Sequence, residues 1–264
     1  MRRVPLKAHD RPSSSRGVRW VTAVGFLLLY VPLVFLVMGS FRSSDGGWTL
    51  LWYRKLFQDS AILDALEVSA IVGLWSALGA TLLGTSAALA LAWGRFPGKK
   101  FFDGLTYVPL IMPEIVLGLS LLIWFVMLNL SLGLVSMIFA HMTFSISYVI
   151  LTVKTRLEGF DHSLLEAARD LGASGRQTFW RVTFPLILPG IGSGALMAFT
   201  LSFDDFLITF FTAGSGSETL PLRIYSMIKF GVTPEINALS TLMLGVTLTM
   251  VSLFFGPVKK LSLK

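Results

Sequence analysis

The chain has no cysteine among its 264 residues, so neither a disulfide framework nor a thiolate metal site can form. Charge is scarce as well. Only 14% of the residues are charged, against about a quarter in a soluble domain that must wet its surface. No GxxxxGK[ST] phosphate loop occurs, which excludes ATP binding by that device. Histidine appears three times, as His9, His141 and His162, with no spacing that suggests a metal site. An enzyme would need a convergent nucleophile, metal or acid–base set. Glu114 with Asp204 or Asp205 could imitate one, but no Ser/His or metal-ligand pattern accompanies them. Hence no catalytic residue and no metal ligand is expected.

Apolar residues dominate instead, at 54% of the chain with a mean hydropathy of +0.73. Six apolar runs stand out, roughly 20–40, 68–93, 105–128, 132–153, 186–211 and 236–255. Each has the ~20 residues that cross ~30 Å of hydrocarbon. They are expected to be helices, because an isolated strand would leave its backbone unpaired in lipid. The first is too long for the core of a signal peptide and lacks a clear cleavage site, which makes it a retained span. Residues 1–19 read as a polar, basic cytoplasmic tail. Residues 20–256 form the six-span domain, and 257–264 a short second tail.

The net charge of +7 would suggest nucleic acid for a soluble protein. Here the cations set orientation, and no nucleic-acid partner is expected. With both termini in the cytoplasm, 17 of the 22 Lys and Arg lie on that side, and Arg42, Arg54, Lys55, Arg223 and Lys229 remain outside. That is a strong positive-inside bias, which the opposite orientation would invert. Small residues recur at spacing four, as in Ala80, Gly84 and Ala88, and again in Gly190 and Gly194. Such faces let helices approach closely.

The longest cytoplasmic loop, 154–185, reads as two short helices. Ser163-Leu164-Leu165-Glu166 has the form of a capping box, the helix continues to Leu171, and Gly172 suits a left-handed ending. Ser174-Gly175-Arg176-Gln177 opens a second helix by the same device, and Pro185 is expected to stop it. Glu166-Ala167-Ala168, then Gly172, then Val182-Thr183-Phe184-Pro185 resembles the EAA loop of binding-protein-dependent ABC permeases. Val182 and Phe184 stand where that family usually has Ile and Leu.

The resemblance covers nearly the whole chain and points to the polyamine branch, the permeases of spermidine/putrescine importers. It is carried by Tyr30-Val31-Pro32, Trp52-Tyr53, Pro113-Glu114-Ile115-Val116, Leu201-Ser202-Phe203-Asp204-Asp205, Leu220-Pro221-Leu222-Arg223-Ile224-Tyr225-Ser226-Met227 and Gly231-Val232-Thr233-Pro234. It implies an all-α type I importer permease (MetI-like) fold of about six spans in a bacterial inner membrane. A sister permease, a separate ATPase holding ATP and Mg, and a periplasmic or extracellular polyamine-binding protein are the implied partners, besides lipid. The implied ATPase-coupling residues are Ser163, Leu164, Leu165, Glu166, Ala167, Ala168, Leu171 and Gly172.

Three acids fall within apolar runs: Glu114, Asp204 and Asp205. Each costs ~2.5–3.5 kcal/mol at the bilayer centre on insertion scales, so such groups face cavities or partners. A passage for a polycation needs acidic and aromatic groups. Glu114, Asp204, Asp205, Phe203 and Trp48 are therefore the expected passage residues, with Phe206 and Trp124 as further faces. A cap on a break in the fifth span is the competing role for Asp204 or Asp205. His141 is expected to be packed and hydrogen-bonded. A permease for another small charged solute, or an ion-coupled secondary transporter, is the alternative. The latter would favour inverted repeats, and none is evident.

Overall fold

The structure is a computed structural model that describes residues 16–43 and 45–261, with side chains described from 17 to 252 apart from 44. Most of the expected tails, 1–15 and 262–264, lie outside the described residues. The described chain is helical, with a single isolated bridge between Arg42 and Trp48. Its elements are α1 (Arg16–Ser40), α2 (Leu51–Leu56), α3 (Ser60–Trp93), α4 (Lys99–Leu105), α5 (Val108–Ile111), α6 (Glu114–Met127) and α7 (Leu134–Glu158). There follow α8 (Ser163–Asp170), α9 (Gly175–Thr178), a π-helical turn (Phe179–Thr183), α10 (Phe184–Phe203), α11 (Leu207–Thr212), α12 (Leu220–Ile228) and α13 (Pro234–Leu261). Among the described residues, five helices are long and apolar enough to cross a membrane, and a bent pair makes a sixth if counted as one span.

The expected six runs are all present, but two are broken. The third run bends by 109° between α5 and α6. Met112 is extended (φ −66°, ψ 135°) ahead of Pro113, as the proline ring demands of the residue before it. The fifth run does not continue to 211. It stops at Phe203, and α11 begins only at Leu207. Residues 204–206 thus interrupt the helix at the Asp-Asp pair.

α3, α7 and α10 form the packed centre, and α13 packs mainly on α1. The small-residue faces carry that centre. A methyl group on Gly84 would fall 2.8 Å from Val149 Cβ, and one on Gly194 3.2 Å from Val149 Cγ1. Both faces therefore close on the same residue of α7. Val149, Ala80, Ala88, Ile187 and Ala198 are fully buried there.

The loop expected at 154–185 is shorter than that, because α7 runs on through Glu158. Pro185 does not stop the second helix. Gly175 to Phe203 is one continuous 29-residue helix. The π turn explains this: the Phe184 N–H bonds to the Phe179 carbonyl, five residues back. Widening by one residue makes room for a proline that an ordinary α-helix would clash with.

Candidate functional site

The two broken runs meet. A cavity of about 330 Å³ is lined by Glu114, Phe144, Thr200, Leu201, Asp204, Asp205, Phe206 and Leu207. Glu114 is the first residue of α6, Asp204 is the C-cap of α10, and Asp205 lies between Asp204 and α11. Non-helical backbone at membrane depth is tolerated where it lines a cavity. The breaks therefore place all three acids at one cavity, which sequence spacing alone did not establish.

The three carboxylates differ. Asp205 caps α11: its Oδ2 accepts from Thr209 N at 2.8 Å and Thr209 Oγ1 at 3.1 Å, and its Oδ1 from Ile208 N at 3.3 Å. Its side chain is only 6% exposed. Asp204 and Glu114 have no side-chain hydrogen bond or ion pair among the described residues. The capping role thus falls to Asp205, and the unpartnered carboxylates facing the cavity are Asp204 and Glu114. Asp204 also sits at the C-terminus of α10, whose dipole favours a cation there.

Phe206 and Phe144 supply the aromatic faces. Phe206 is held from behind by Tyr225 of α12, with ring centroids 4.6 Å apart. Phe203 does not join them. It is buried at 5% exposure and stacks on Phe199. The helix continues through Phe203 and breaks only after it, so its ring follows the packed face of α10. Trp48 is 75% exposed on the α1–α2 connection and does not reach the cavity. Trp124 is exposed on α6 and is likewise not part of the lining. Trp52 and Tyr53 are structural, donating to Arg42 O at 2.9 Å and sharing a hydrogen bond with Ser40 Oγ at 2.7 Å.

At the other end of α7 and α10 stands the short helix α8. Ser163 is not its cap. His162 holds the N-cap position without a side-chain bond, and Asp161 Oδ1 accepts from Ser163 N at 2.9 Å. The capping oxygen is therefore supplied two residues earlier than expected. The Ser163 hydroxyl and N–H hold the Asp161 carboxyl below the usual carboxylate range. Glu166 is exposed and makes no reach-back bond. The ending is as expected: Gly172 has φ +79°, Gly172 N bonds to Arg169 O at 2.8 Å, and Ala173 N to Ala168 O at 3.0 Å. That pair of bonds is a Schellman ending. The capping box at Ser174 and Gln177 is also formed, with Ser174 N donating to Gln177 Oε1 at 2.9 Å. Leu171 is left 89% exposed beside the turn.

Residues 80–258 match the family described as "Binding-protein-dependent transport system inner membrane component". The chain is 42% identical over 237 residues to the spermidine/putrescine transport system permease protein PotC of Escherichia coli (strain K12), covering 88% of this chain and 89% of that one. It is also 42% identical to the putrescine transport system permease protein PotI of the same strain, covering 85% and 84%. Among solved structures, a bacterial ABC transporter involved in the import of the acidic polysaccharide alginate matches with TM-score 0.72 at 16% identity, covering 92% of this chain and 94% of that one. That likeness bears out the expected importer-permease fold.

Proposed function

The chain belongs to the binding-protein-dependent transport system inner membrane component family, and from that premise we propose that it is a multi-pass permease subunit of an ATP-driven importer that admits polyamines to the cytoplasm. One observation carries the choice of cargo. Two carboxylates without partners among the described residues, Glu114 and Asp204, face a cavity that also presents Phe144 and Phe206. Ammonium groups offer the opposite charge for the acids and a cation for the ring faces. The names of the two E. coli relatives point the same way. The alginate importer, which handles a polyanion, shares the fold alone. The cargo is therefore read from this cavity and not from the architecture.

ATP hydrolysis belongs to separate ATPase subunits in this reading. Helix α8, with Leu164, Leu165, Ala167, Ala168 and exposed Leu171, is the element that docks on them. A sister permease completes the passage, and an external binding protein delivers the substrate. The decisive experiment is uptake of labelled spermidine and putrescine into vesicles carrying the complete importer. Saturable, ATP-dependent uptake of at least one is expected. Uptake of a neutral or anionic solute that polyamines do not compete with would overturn the reading.

The distribution of Lys and Arg supports a cytoplasmic side for both termini in this reading. Ser44 lies outside the described residues, so exposed Ser215 serves as the outer reporter and exposed Arg176 as the inner one. In intact cells Ser215→Cys should react with an impermeant thiol reagent. Arg176→Cys should react only after permeabilisation. The chain has no native cysteine, so its background is nil. Labelling of Arg176→Cys in intact cells would reverse the orientation.

A further inference from the structure

We propose that His141 is a positioning residue for the passage, acting through Asp205. His141 is 1% exposed on α7 and bridges both sides of the break in the fifth run. Its Nδ1 lies 2.6 Å from Ser202 Oγ at the end of α10. Its Nε2 lies 2.9 Å from Thr209 Oγ1 on α11 and 3.4 Å from Asp205 Oδ2. Ser202 Oγ in turn lies 2.9 Å from Ser76 Oγ on α3. Four helices are therefore tied together by one buried polar chain.

Its direction follows from counting protons. The carboxylate of Asp205 only accepts, so Thr209 O–H donates to Asp205 Oδ2 at 3.1 Å. That spends the one proton of Thr209. His141 must then donate from Nε2 to Thr209 Oγ1, with Asp205 Oδ2 as its second acceptor. Nδ1 is left to accept from Ser202 O–H, while the Ser76 hydroxyl shares its one proton between Val72 O at 2.6 Å and Ser202 Oγ at 2.9 Å. With a neutral imidazole Ser202, His141 and Thr209 are each paired, and the chain terminates on the carboxylate that lines the cavity. Buried networks of this kind fix one geometry only when all members are paired. Here the fixed geometry is the angle between α10 and α11, and with it the direction in which neighbouring Asp204 points.

The inference rests on the acidic cavity being the passage, and the test separates the two. His141→Gln places an amide near the Nε2 position and keeps the donor toward Thr209 and Asp205. His141→Asn places it near Nδ1 and keeps only the Ser202 side. Both are polar, and because Asn is one methylene shorter, its extra packing cost is read in the level of assembled complex and not in uptake per complex. Uptake of labelled spermidine by the complete importer, normalised to assembled complex, is expected within about twofold of the parent for His141→Gln and about fivefold lower for His141→Asn. The apparent KM should stay near the parental value in both, because capture belongs to the external binding protein. Asp205→Asn alone is likewise expected to be about fivefold lower; if His141 acts through Asp205, adding it to His141→Asn costs no more than the larger single effect, whereas independent effects would multiply to roughly 25-fold. Equal loss in the Asn and Gln variants, or multiplied loss in the double variant, overturns the proposal. Parental uptake in Asp204→Asn and Glu114→Gln would instead remove the passage reading beneath it.

Discussion

Gly172→Val is expected to leave the permease inserted and assembled but to uncouple ATP hydrolysis from uptake. Gly172 has φ +79°, where a β-branched residue is strained by about 1–3 kcal/mol. There is open space around it, with nothing within 4 Å of where a Cβ would stand. The penalty is therefore one of backbone conformation and not of collision. A chain that relieves the strain loses both Schellman bonds, to Arg169 O and Ala168 O, and with them the turn that holds exposed Leu171 in place. A docking equilibrium weakened by that amount falls by roughly fivefold to 150-fold. Asn accepts the left-handed region better than other residues, so Gly172→Asn should retain most uptake, Gly172→Ala less, and Gly172→Val least. Paired assays of uptake and substrate-stimulated ATPase in the complete importer give the ranking. Normal uptake with normal stimulation in Gly172→Val would sink the docking role of α8. Bulky replacement of Glu166 tests the helix face separately, since Glu166 is exposed and takes no part in the capping.

The spans and the ending of α8 were legible because each rests on local chemistry. Twenty apolar residues must be helical in lipid, and glycine after a helix takes the left-handed turn. The break before Glu114 was also written locally, in Met112-Pro113. A hydropathy window simply averages over it, since neither residue is polar. The start of α8 is ambiguous in the sequence between two neighbouring oxygens. Asp161 and Ser163 are both good caps, and only the path of the chain after Glu158 decides which one reaches an N–H. Pro185 misled for a different reason. A π turn has no clear sequence signature, and Pro32 and Pro189 also stand inside helices, so proline alone is not a stop signal in this chain.

The assembly of the site was not legible. The partners of His141 at Ser202 and Thr209 lie 61 and 68 residues away. Their pairing depends on how α7 crosses α10. The same packing decides that Phe206 reaches the cavity and Phe203 does not. Adjacent residues on an ideal helix lie ~100° apart, so for Asp204 and Asp205 the sequence left both roles open for both residues. The break resolved them by turning the Asp205 carboxylate onto the first-turn N–H groups of α11 and leaving Asp204 without a side-chain partner among the described residues.

That division sets the largest effect expected at the cavity. Asp204→Asn and Glu114→Gln keep shape and remove charge from the two carboxylates that have no protein partner among the described residues. Since neither has a bond to lose, each variant should accumulate at the parental level, and the change should appear in transport. Opposite charges at ~4 Å attract by about 4 kcal/mol at an effective dielectric of 20, before desolvation. Losing a third of that is roughly tenfold in an equilibrium constant. Each single variant is therefore expected to lower spermidine uptake about tenfold. A long polycation can engage both acids with different amines, so the double variant should approach a hundredfold if the two sites act independently. Putrescine, with two amines on a shorter chain, should show a smaller gap between the single and double variants. Delivery by the binding protein is untouched, so the loss should lie in the maximal rate and not in the apparent KM. The same assay decides whether the acids are structural. Parental rates in both single variants and in the double would mean that no cation passes between Glu114 and Asp204. The passage would then have to be sought along another face of the bundle.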